Sequence, residues 1–151
     1  MKSLEADPQA QRLAELSAQA LFANDSASRN LGVRIEDVRP GFARLGMTVR
    51  ADMLNGHGLC HGGLVFSLAD SAFAVACNTH NAVTVAAAAS IDFLASAHVH
   101  DELTAEAREL WRSRRAGIYE IRVSNQRGET VALFRGRSHC VGGEIVSAER
   151  T

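Results

Sequence analysis

An apolar stretch in the middle of the chain, broken by one acid, constrains the fold more than any other feature. It runs from Leu64 to Cys77, and Asp70 is its single charged residue. Its apolar residues cover almost the whole circumference of a helix, which is typical of a helix buried in a core. The stretch is too short and too interrupted to span a bilayer. The sequence therefore predicts one long buried helix, beginning near Gly62, that the rest of the chain surrounds.

One face of this helix differs from the rest. Small or polar residues recur there at positions i, i+3, i+4 and i+7, and these are Ser67, Asp70, Ser71 and Ala74. Residues at that spacing lie on one side of a helix. The face therefore predicts a surface that a partner backbone can approach closely while Asp70 points towards it.

The remaining sequence predicts strands and one further helix. The apolar patterns that predict strands, about six in all, lie at 31–38 (with a bulge), 42–50, 82–94, 103–111, 118–123 and 130–140. Residues 8–24 predict an amphipathic helix whose packing face carries Leu13, Leu16, Ala20 and Phe22. We expect an α+β fold in residues 1–151, one domain with a helical extension at 1–28. Its antiparallel sheet curves around the central helix, and dimerisation by strand pairing would cover a sheet edge.

Composition excludes several functional classes. The net charge is −1 with 22% charged residues, so no strong field attracts nucleic acid or anionic lipid. The start of the chain has no apolar signal-peptide core. Three cysteines without CxxC spacing indicate reduced thiols. These features predict a cytoplasmic protein without a nucleic-acid or membrane partner.

A glycine-rich loop leads into the buried helix and predicts a site for negative charge at the start of the helix. This site would be one of two parts of a reaction centre, and Asp70 would be the other. The loop includes His61-Gly62-Gly63, and the first N–H groups of a helix are free to bind negative charge. Gly62 and Asp70 lie roughly 12 Å apart along a helix, at about 1.5 Å per residue. One small carbonyl cannot reach both, because a base must come within roughly 3 Å of its target. Two antiparallel copies of the helix across a two-fold axis would bring them together.

Other interpretations of these residues stay open. Asp70 can be a structural acid that a neighbouring hydroxyl or helix cap satisfies, and the loop can be only a tight entry to a helix. Zinc is a weak alternative, since the spacing of His57, Cys60 and His61 matches no common ligand pattern. Cys60 predicts a small packed hydrophobe rather than a nucleophile. The run from Arg112 to Arg115 is either a solvated turn or a contact for phosphate groups.

Together these motifs resemble the hot-dog-fold acyl-CoA thioesterases, most closely those of phenylacetate degradation. The resemblance covers residues 31–143 and rests on runs at 53–58 (Met-Leu-Asn-Gly-His-Gly), 60–63, 66–74, 76–78, 91–94 (Ile-Asp-Phe-Leu) and 131–136. The chain departs from the family at two places. Ala74 stands where relatives that act on hydroxybenzoyl-CoA often carry a residue with a hydroxyl group, and Ala95-Ser96 stands where relatives commonly have Arg-Pro.

The resemblance implies a role for each of four residues. Asp70 would activate water or attack the thioester, and the backbone N–H of Gly62 would stabilise the oxyanion. His61 would shape the turn, and Asn55 would orient substrate or water. The resemblance also implies a homodimer that pairs into a homotetramer, and no metal or redox cofactor, since coenzyme A is part of the substrate.

The sequence thus predicts hydrolysis of an aryl-acetyl-CoA thioester, such as phenylacetyl-CoA or its ring-hydroxylated forms, at a site shared by two subunits. The acyl choice rests on the resemblance alone. The alternatives are a hydratase or dehydratase of the same fold and a non-catalytic acyl-CoA-binding protein.

Overall fold

Six antiparallel strands form one sheet in the computed structural model, which describes residues 7–147. The strands are β1 (Arg34–Arg39), β2 (Phe42–Thr48), β3 (Ala82–Phe93), β4 (Glu102–Arg112), β5 (Ala116–Ser124) and β6 (Thr130–Glu144). Their order across the sheet is β1-β2-β4-β5-β6-β3, with antiparallel neighbours throughout. The predicted set of strands is confirmed, and so is the bulge in the first, where the register shifts between Ile35 and Asp37.

The helices are α1 (Pro8–Ala23), α2 (Ser26–Asn30) and α3 (Gly62–Asn78), with a short 3-10 turn at Ala51–Met53. The predicted helix at 8–24 is confirmed to within one residue. The first predicted strand began too early, because Leu31 is the C-cap of α2 and the Val33 N–H donates to the Ser28 carbonyl at 3.1 Å. Residues 1–6 and 148–151, which the predicted domain includes, lie outside the described residues.

The sheet wraps around α3, as the sequence predicts, and aromatic side chains pack between the helix and the sheet. Phe73 on α3 is buried, with its ring centroid 5.4 Å from that of Tyr119 and 5.9 Å from that of Phe134. A Cβ atom added at Gly136 of β6 would come within 2.7 Å of the Phe73 ring. Gly136 therefore allows the strand to pass close over the helix.

The small and polar face of α3 stays partly exposed, while most of the helix is buried. Ser67, Asp70, Ser71 and Ala74 are all half-buried. The packing face predicted for α1 is wrong at its centre. Its fully buried residues are Ala14, Ser17 and Ala18, whereas the predicted Leu13, Leu16, Ala20 and Phe22 are half-buried. Small side chains at the centre let α1 lie close to its neighbours, and the larger ones pack at the margins.

Strand β3 is a long, exposed edge of the sheet. Its twelve residues pair with β6 on one side, and no strand within residues 7–147 pairs with the other side. Residues 85–90, mostly alanine, are exposed on both faces of the strand. Unpaired edge strands of this kind are sites for pairing with another chain. No helix within the described range has the length and apolarity needed to cross a bilayer.

Candidate active site

The loop before α3 leaves one helix N–H group without a partner. His61 is the N-cap, and its Nδ1 accepts a hydrogen bond from the Gly63 N–H at 2.9 Å. The Leu64 N–H donates to the His61 carbonyl at 2.9 Å. Among residues 7–147, nothing accepts a hydrogen bond from the Gly62 N–H. A free donor thus lies at the positive end of the helix dipole, where negative charge is stabilised.

The side chain of Phe93 covers this position from the end of β3. A Cβ atom added at Gly62 would lie 3.2 Å from the Phe93 Cζ. Phe93 as a residue is 55% exposed. A side chain at residue 62 would therefore press against the Phe93 ring, and this ring forms one wall beside the free N–H.

Asn55 holds the loop that leads into the helix. Its Oδ1 accepts hydrogen bonds from the N–H groups of His57 at 2.9 Å and Leu59 at 3.2 Å. The His61 N–H in turn donates to the Met53 carbonyl at 2.8 Å, which folds the loop back on itself. The structure therefore brings Asn55, His61 and Gly62 together in one loop and helix start, and the Oδ1 of Asn55 is used within the loop.

Asp70 is a half-buried carboxylate that accepts no hydrogen bond from any residue within 7–147. The neighbouring hydroxyls bond elsewhere: Ser67 donates to the Gly63 carbonyl and Ser71 to the Ser67 carbonyl, each at 2.8 Å. Burial, followed by the nearby charge of Asp25, raises the pKa of Asp70 above its ordinary value. The alternative of an acid satisfied by a neighbouring group within residues 7–147 is therefore not supported.

The two functional groups lie far apart on one helix. Gly62 is the first residue of α3 and Asp70 lies eight residues later, with unbroken helix between them. At about 1.5 Å per residue this separation is roughly 12 Å. The described chain accordingly places the N–H donor and the carboxylate at two positions that a single small reacting group cannot span.

The surroundings of the other candidate residues do not indicate a nucleophile or a metal site within the described residues. Cys60 is buried, and burial, with the nearby charge of Asp101, raises the pKa of its thiol, which opposes thiolate chemistry. Within the described range, no group of three or more His, Cys, Asp or Glu side chains is arranged to hold a metal. Arg112 approaches Glu109 at 3.6 Å and is half-exposed.

Sequence reasoning missed two residues near these groups. Asp25, at the start of α2, lines the same cavity as Asp70, and its place there depends on how the N-terminal helices pack. Phe93 was noticed as part of the Ile-Asp-Phe-Leu run, but no sequence pattern indicates that its ring reaches Gly62. The only signal in the sequence was the glycine at position 62, because a residue without a side chain allows another group to come close to the backbone.

The fold, an antiparallel sheet around one central helix, is that of a class of hydrolases. Residues 57–132 match the thioesterase superfamily. The chain belongs to this superfamily, has the hot-dog fold that the sequence predicts, and is a thioester hydrolase.

Within this superfamily, the chain is similar to PaaI proteins and their solved structures. The chain is 49% identical to the acyl-coenzyme A thioesterase PaaI of Escherichia coli strain K12, over 85% of this chain and 92% of the relative. The solved structure of E. coli PaaI, from the phenylacetic acid degradation operon, has a TM-score of 0.88 and 47% identity, covering 89% of this chain and 97% of that one. The TT0310 protein of Thermus thermophilus has a TM-score of 0.75 and 37% identity, with 78% and 99% covered.

Proposed function

We propose that this thioester hydrolase is an acyl-CoA thioesterase that cleaves phenylacetyl-CoA and its ring-hydroxylated forms at a site shared by two subunits. The observation that carries the proposal is the pair of unpartnered polar groups on α3, the Gly62 N–H and the Asp70 carboxylate. Coenzyme A is part of the substrate, and the reaction needs neither a metal nor a redox cofactor.

The Gly62 N–H acts on the carbonyl oxygen of the thioester. Attack at the carbonyl carbon places negative charge on this oxygen, and a donor already in position stabilises that charge without reorganisation. The His61 cap occupies the Gly63 N–H and fixes the first turn, which leaves the Gly62 N–H for the substrate. In this proposal His61 and Asn55 position the donor through the loop.

Asp70 acts as the general base. It takes a proton from a water molecule, and the water oxygen forms a bond to the carbonyl carbon. The carbon–sulfur bond then breaks to release the CoA thiolate, to which the protonated Asp70 returns its proton. Because burial raises the pKa of Asp70, its carboxylate is a stronger base than one in water. The thiolate is a good leaving group, so one carboxylate and one donor suffice.

A second copy of the chain supplies the missing half of each site. The exposed edge of β3 can pair with the same strand of a second copy, and the small and polar face of α3 can then lie against its counterpart. If the two helices run antiparallel, Asp70 of one copy lies beside Gly62 of the other, and the two-fold symmetry makes two equal sites. We propose that such dimers pair further into a homotetramer.

The surroundings of Asp70 support an aromatic acyl group. The carboxylate opens into a cavity of about 360 Å³ whose apolar lining is Leu21, Phe22, Phe73, Ala74, Val75, Val85 and Ala86. Cavities of this size and character hold small organic groups. E. coli PaaI comes from a phenylacetic acid degradation operon, and this chain shares nearly half of its residues.

A cytoplasmic location belongs to the same proposal. All three cysteines, which lie in the described residues, are free, and Cys60 and Cys77 are buried. Free thiols are the usual state in a reducing compartment.

A panel of thioesters tests the activity and the acyl choice. Purified protein is assayed for thiol release with phenylacetyl-CoA, 4-hydroxyphenylacetyl-CoA, benzoyl-CoA, acetyl-CoA and crotonyl-CoA. We expect kcat/KM for the phenylacetyl compounds to exceed that for acetyl-CoA by at least about tenfold, as filling an apolar pocket would give. Hydration of crotonyl-CoA without thiol release would support a hydratase instead, and binding without turnover of any thioester would support a carrier.

Mixed assemblies test whether the site is shared. Asp70→Asn and Gly62→Pro chains are unfolded together and refolded as a mixture, with each chain refolded alone for reference. Half of the dimers would contain both chains, and each of these would have one intact site, so about one quarter of the wild-type activity should return. As the matched control, Asp70→Asn mixed with the double variant should recover nothing. Failure of the first mixture to recover activity, although both chains assemble, would place the site within one chain.

A further inference from the structure

The N-terminal extension places a second carboxylate in the cavity that Asp70 lines. Asp25 follows α1 and is the N-cap of α2. Its side chain lines the same cavity as Asp70, together with Asn24 from the same corner. The extension is therefore part of the surroundings of the proposed base.

A chain of hydroxyl groups joins this corner to α3. The Asp25 carboxylate accepts hydrogen bonds from the Ser28 N–H at 2.9 Å and from the Ser28 hydroxyl at 2.5 Å. The hydroxyl oxygen of buried Ser28 lies 2.7 Å from that of Ser71, the residue next to Asp70. These contacts fix the position of Asp25 relative to the helix that carries Asp70.

The two carboxylates differ in their hydrogen bonds. Asp25 accepts two from Ser28, whereas Asp70 accepts none from residues 7–147. Hydrogen bonds to a carboxylate favour its charged form, and two carboxylates in one site oppose each other's ionisation. The charge of Asp25 therefore opposes ionisation of Asp70, which has no hydrogen bond within residues 7–147 to offset that effect, as in other pairs of acids with unlike surroundings.

We propose that Asp25 is a positioning residue for thioester hydrolysis, whose negative charge across the shared cavity makes Asp70 the proton acceptor. The inference rests on the proposed function, in which Asp70 is the general base. It adds to that function a role for the N-terminal extension, which supplies the charge that sets the strength of the base.

The other groups around Asp70 leave Asp25 as its charged neighbour. The residues lining the cavity from β3 are Thr84, Val85 and Ala86, which do not titrate, and none of the lining residues is Lys, Arg or His. On α3 itself, burial raises the pKa of Cys77 to about 12, so this thiol is neutral over the working range. Titratable side chains of β2, β4, β5 and β6 within the described residues do not line the cavity. The nearby charge of Asp25 is, after burial, the second cause that raises the pKa of Asp70.

The substitution Asp25→Asn tests the inference without removing the helix cap. Asparagine caps helices about as well as aspartate, so α2 should keep its N-terminus. Without the charge, Asp70 ionises more readily and becomes a weaker base. We expect the acidic limb of the kcat/KM profile with phenylacetyl-CoA to move to lower pH, while the rate on the plateau falls about two- to fivefold. General structural damage would lower the rate at every pH and leave the limb in place.

Asp7→Asn is the matched control. Asp7 caps α1 through the Gln9 N–H at 3.0 Å, so the same charge is removed from the same kind of cap. Asp7 does not line the cavity that holds Asp70, and this variant should keep the wild-type profile. An equal shift in both variants would mean that net charge, and not the position of Asp25, sets the limb, and this would overturn the inference.

A direct titration separates the inference from the proposed function. The side-chain carbon of Asp70 is followed by NMR in protein labelled at aspartate carboxyls, and Asp70→Asn identifies its signal. Titration at lower pH in Asp25→Asn supports the inference, and an unchanged titration overturns it, whether or not the protein turns over a thioester. Full hydrolysis by Asp70→Asn would overturn the proposed role of Asp70 and leave the titration result standing.

Discussion

The polar groups at the C-terminal end of α3 have hydrogen-bond partners, whereas two polar groups, at Gly62 and Asp70, have none within the described residues. At the C-terminal end, the Asn78 amide donates to the Thr84 carbonyl at 2.9 Å and accepts from the Thr84 N–H at 3.0 Å. Nearby, Glu109 receives the Tyr119 hydroxyl at 2.7 Å and lies 2.8 Å from the His80 Nε2. In the first half of the helix, the Gly62 N–H at its start and the Asp70 carboxylate at its middle have no partner within residues 7–147.

The same difference separates the two carboxylates. Burial by itself would raise the pKa of Glu109, but hydrogen bonds from Tyr119 and His80 outweigh burial and bring its pKa below the ordinary value. Burial raises the pKa of Asp70, and no hydrogen bond opposes this. In the described residues every fully buried side-chain nitrogen or oxygen has a partner. A polar group left free in such a protein is available to a substrate, and a group with several partners holds the fold together.

The largest effect should come from exchanging the acids for amides. Asp70→Asn should lower kcat/KM for phenylacetyl-CoA by about 10²–10⁴-fold, the usual contribution of a general base. Glu109→Gln, the same kind of change on β4 near the C-terminal end of α3, should leave kcat/KM unchanged in the folded protein. Thiol-release kinetics on both variants check this, with size-exclusion chromatography to show that each assembles. Near-normal hydrolysis by Asp70→Asn would show that Asp70 is not the general base and that the two carboxylates do not differ in this role.

The second effect concerns the free N–H. Gly62→Pro removes this donor at the first helical position, where proline is tolerated, and should lower kcat by about 10²–10³-fold. Gly62→Ala keeps the N–H and adds the same Cβ, which the exposed end of the Phe93 ring can accommodate by a small shift. The ratio of the two variants in steady-state assays isolates the donor. Equal losses in both would attribute the effect to crowding by Phe93.

The third effect concerns stability, for which Glu109 should matter more than Asp70, the opposite of their effects on activity. Glu109→Gln weakens hydrogen bonds to a charged group and should lower the free energy of unfolding by about 1.5–3 kcal/mol. Asp70→Asn removes a half-buried charge without hydrogen bonds, so it should leave stability unchanged or raise it. Urea unfolding at neutral pH compares both variants with the wild type. A larger loss of stability in Asp70→Asn would show that Asp70 has a structural partner after all.

The smallest effect is the pH dependence of these stability differences. The folded pKa of Glu109 is lowered, so its contribution to stability is present above the ordinary value of 4.5 and is lost as the pH falls through the folded value. The folded pKa of Asp70 is raised, so its cost to stability grows as the pH rises from the ordinary value of 3.8 through the folded value. The deficit of Glu109→Gln and any gain of Asp70→Asn should therefore both disappear in acid. Urea unfolding at a series of pH values measures this.

Local patterns in the sequence predict most of the fold and half of the site. The start of α3 follows from the glycine-rich loop, and the strands follow from their alternation, since both depend on neighbours in the chain. The first strand was placed too early because Leu31 and Val33 alternate like a strand, although they complete the end of α2. Asp25 could not be found in this way, since its approach to Asp70 depends on the tertiary packing of the extension.

The unbroken helix between Gly62 and Asp70 sets both the distance between these residues and the direction in which the carboxylate points. Each inserted residue would turn the carboxylate about 100° around the helix axis and carry it about 1.5 Å along it. Substitutions in this segment can change its side chains freely at many positions, but an insertion or deletion would point the acid into the core or towards the sheet. We expect natural variation here to alter composition while conserving length.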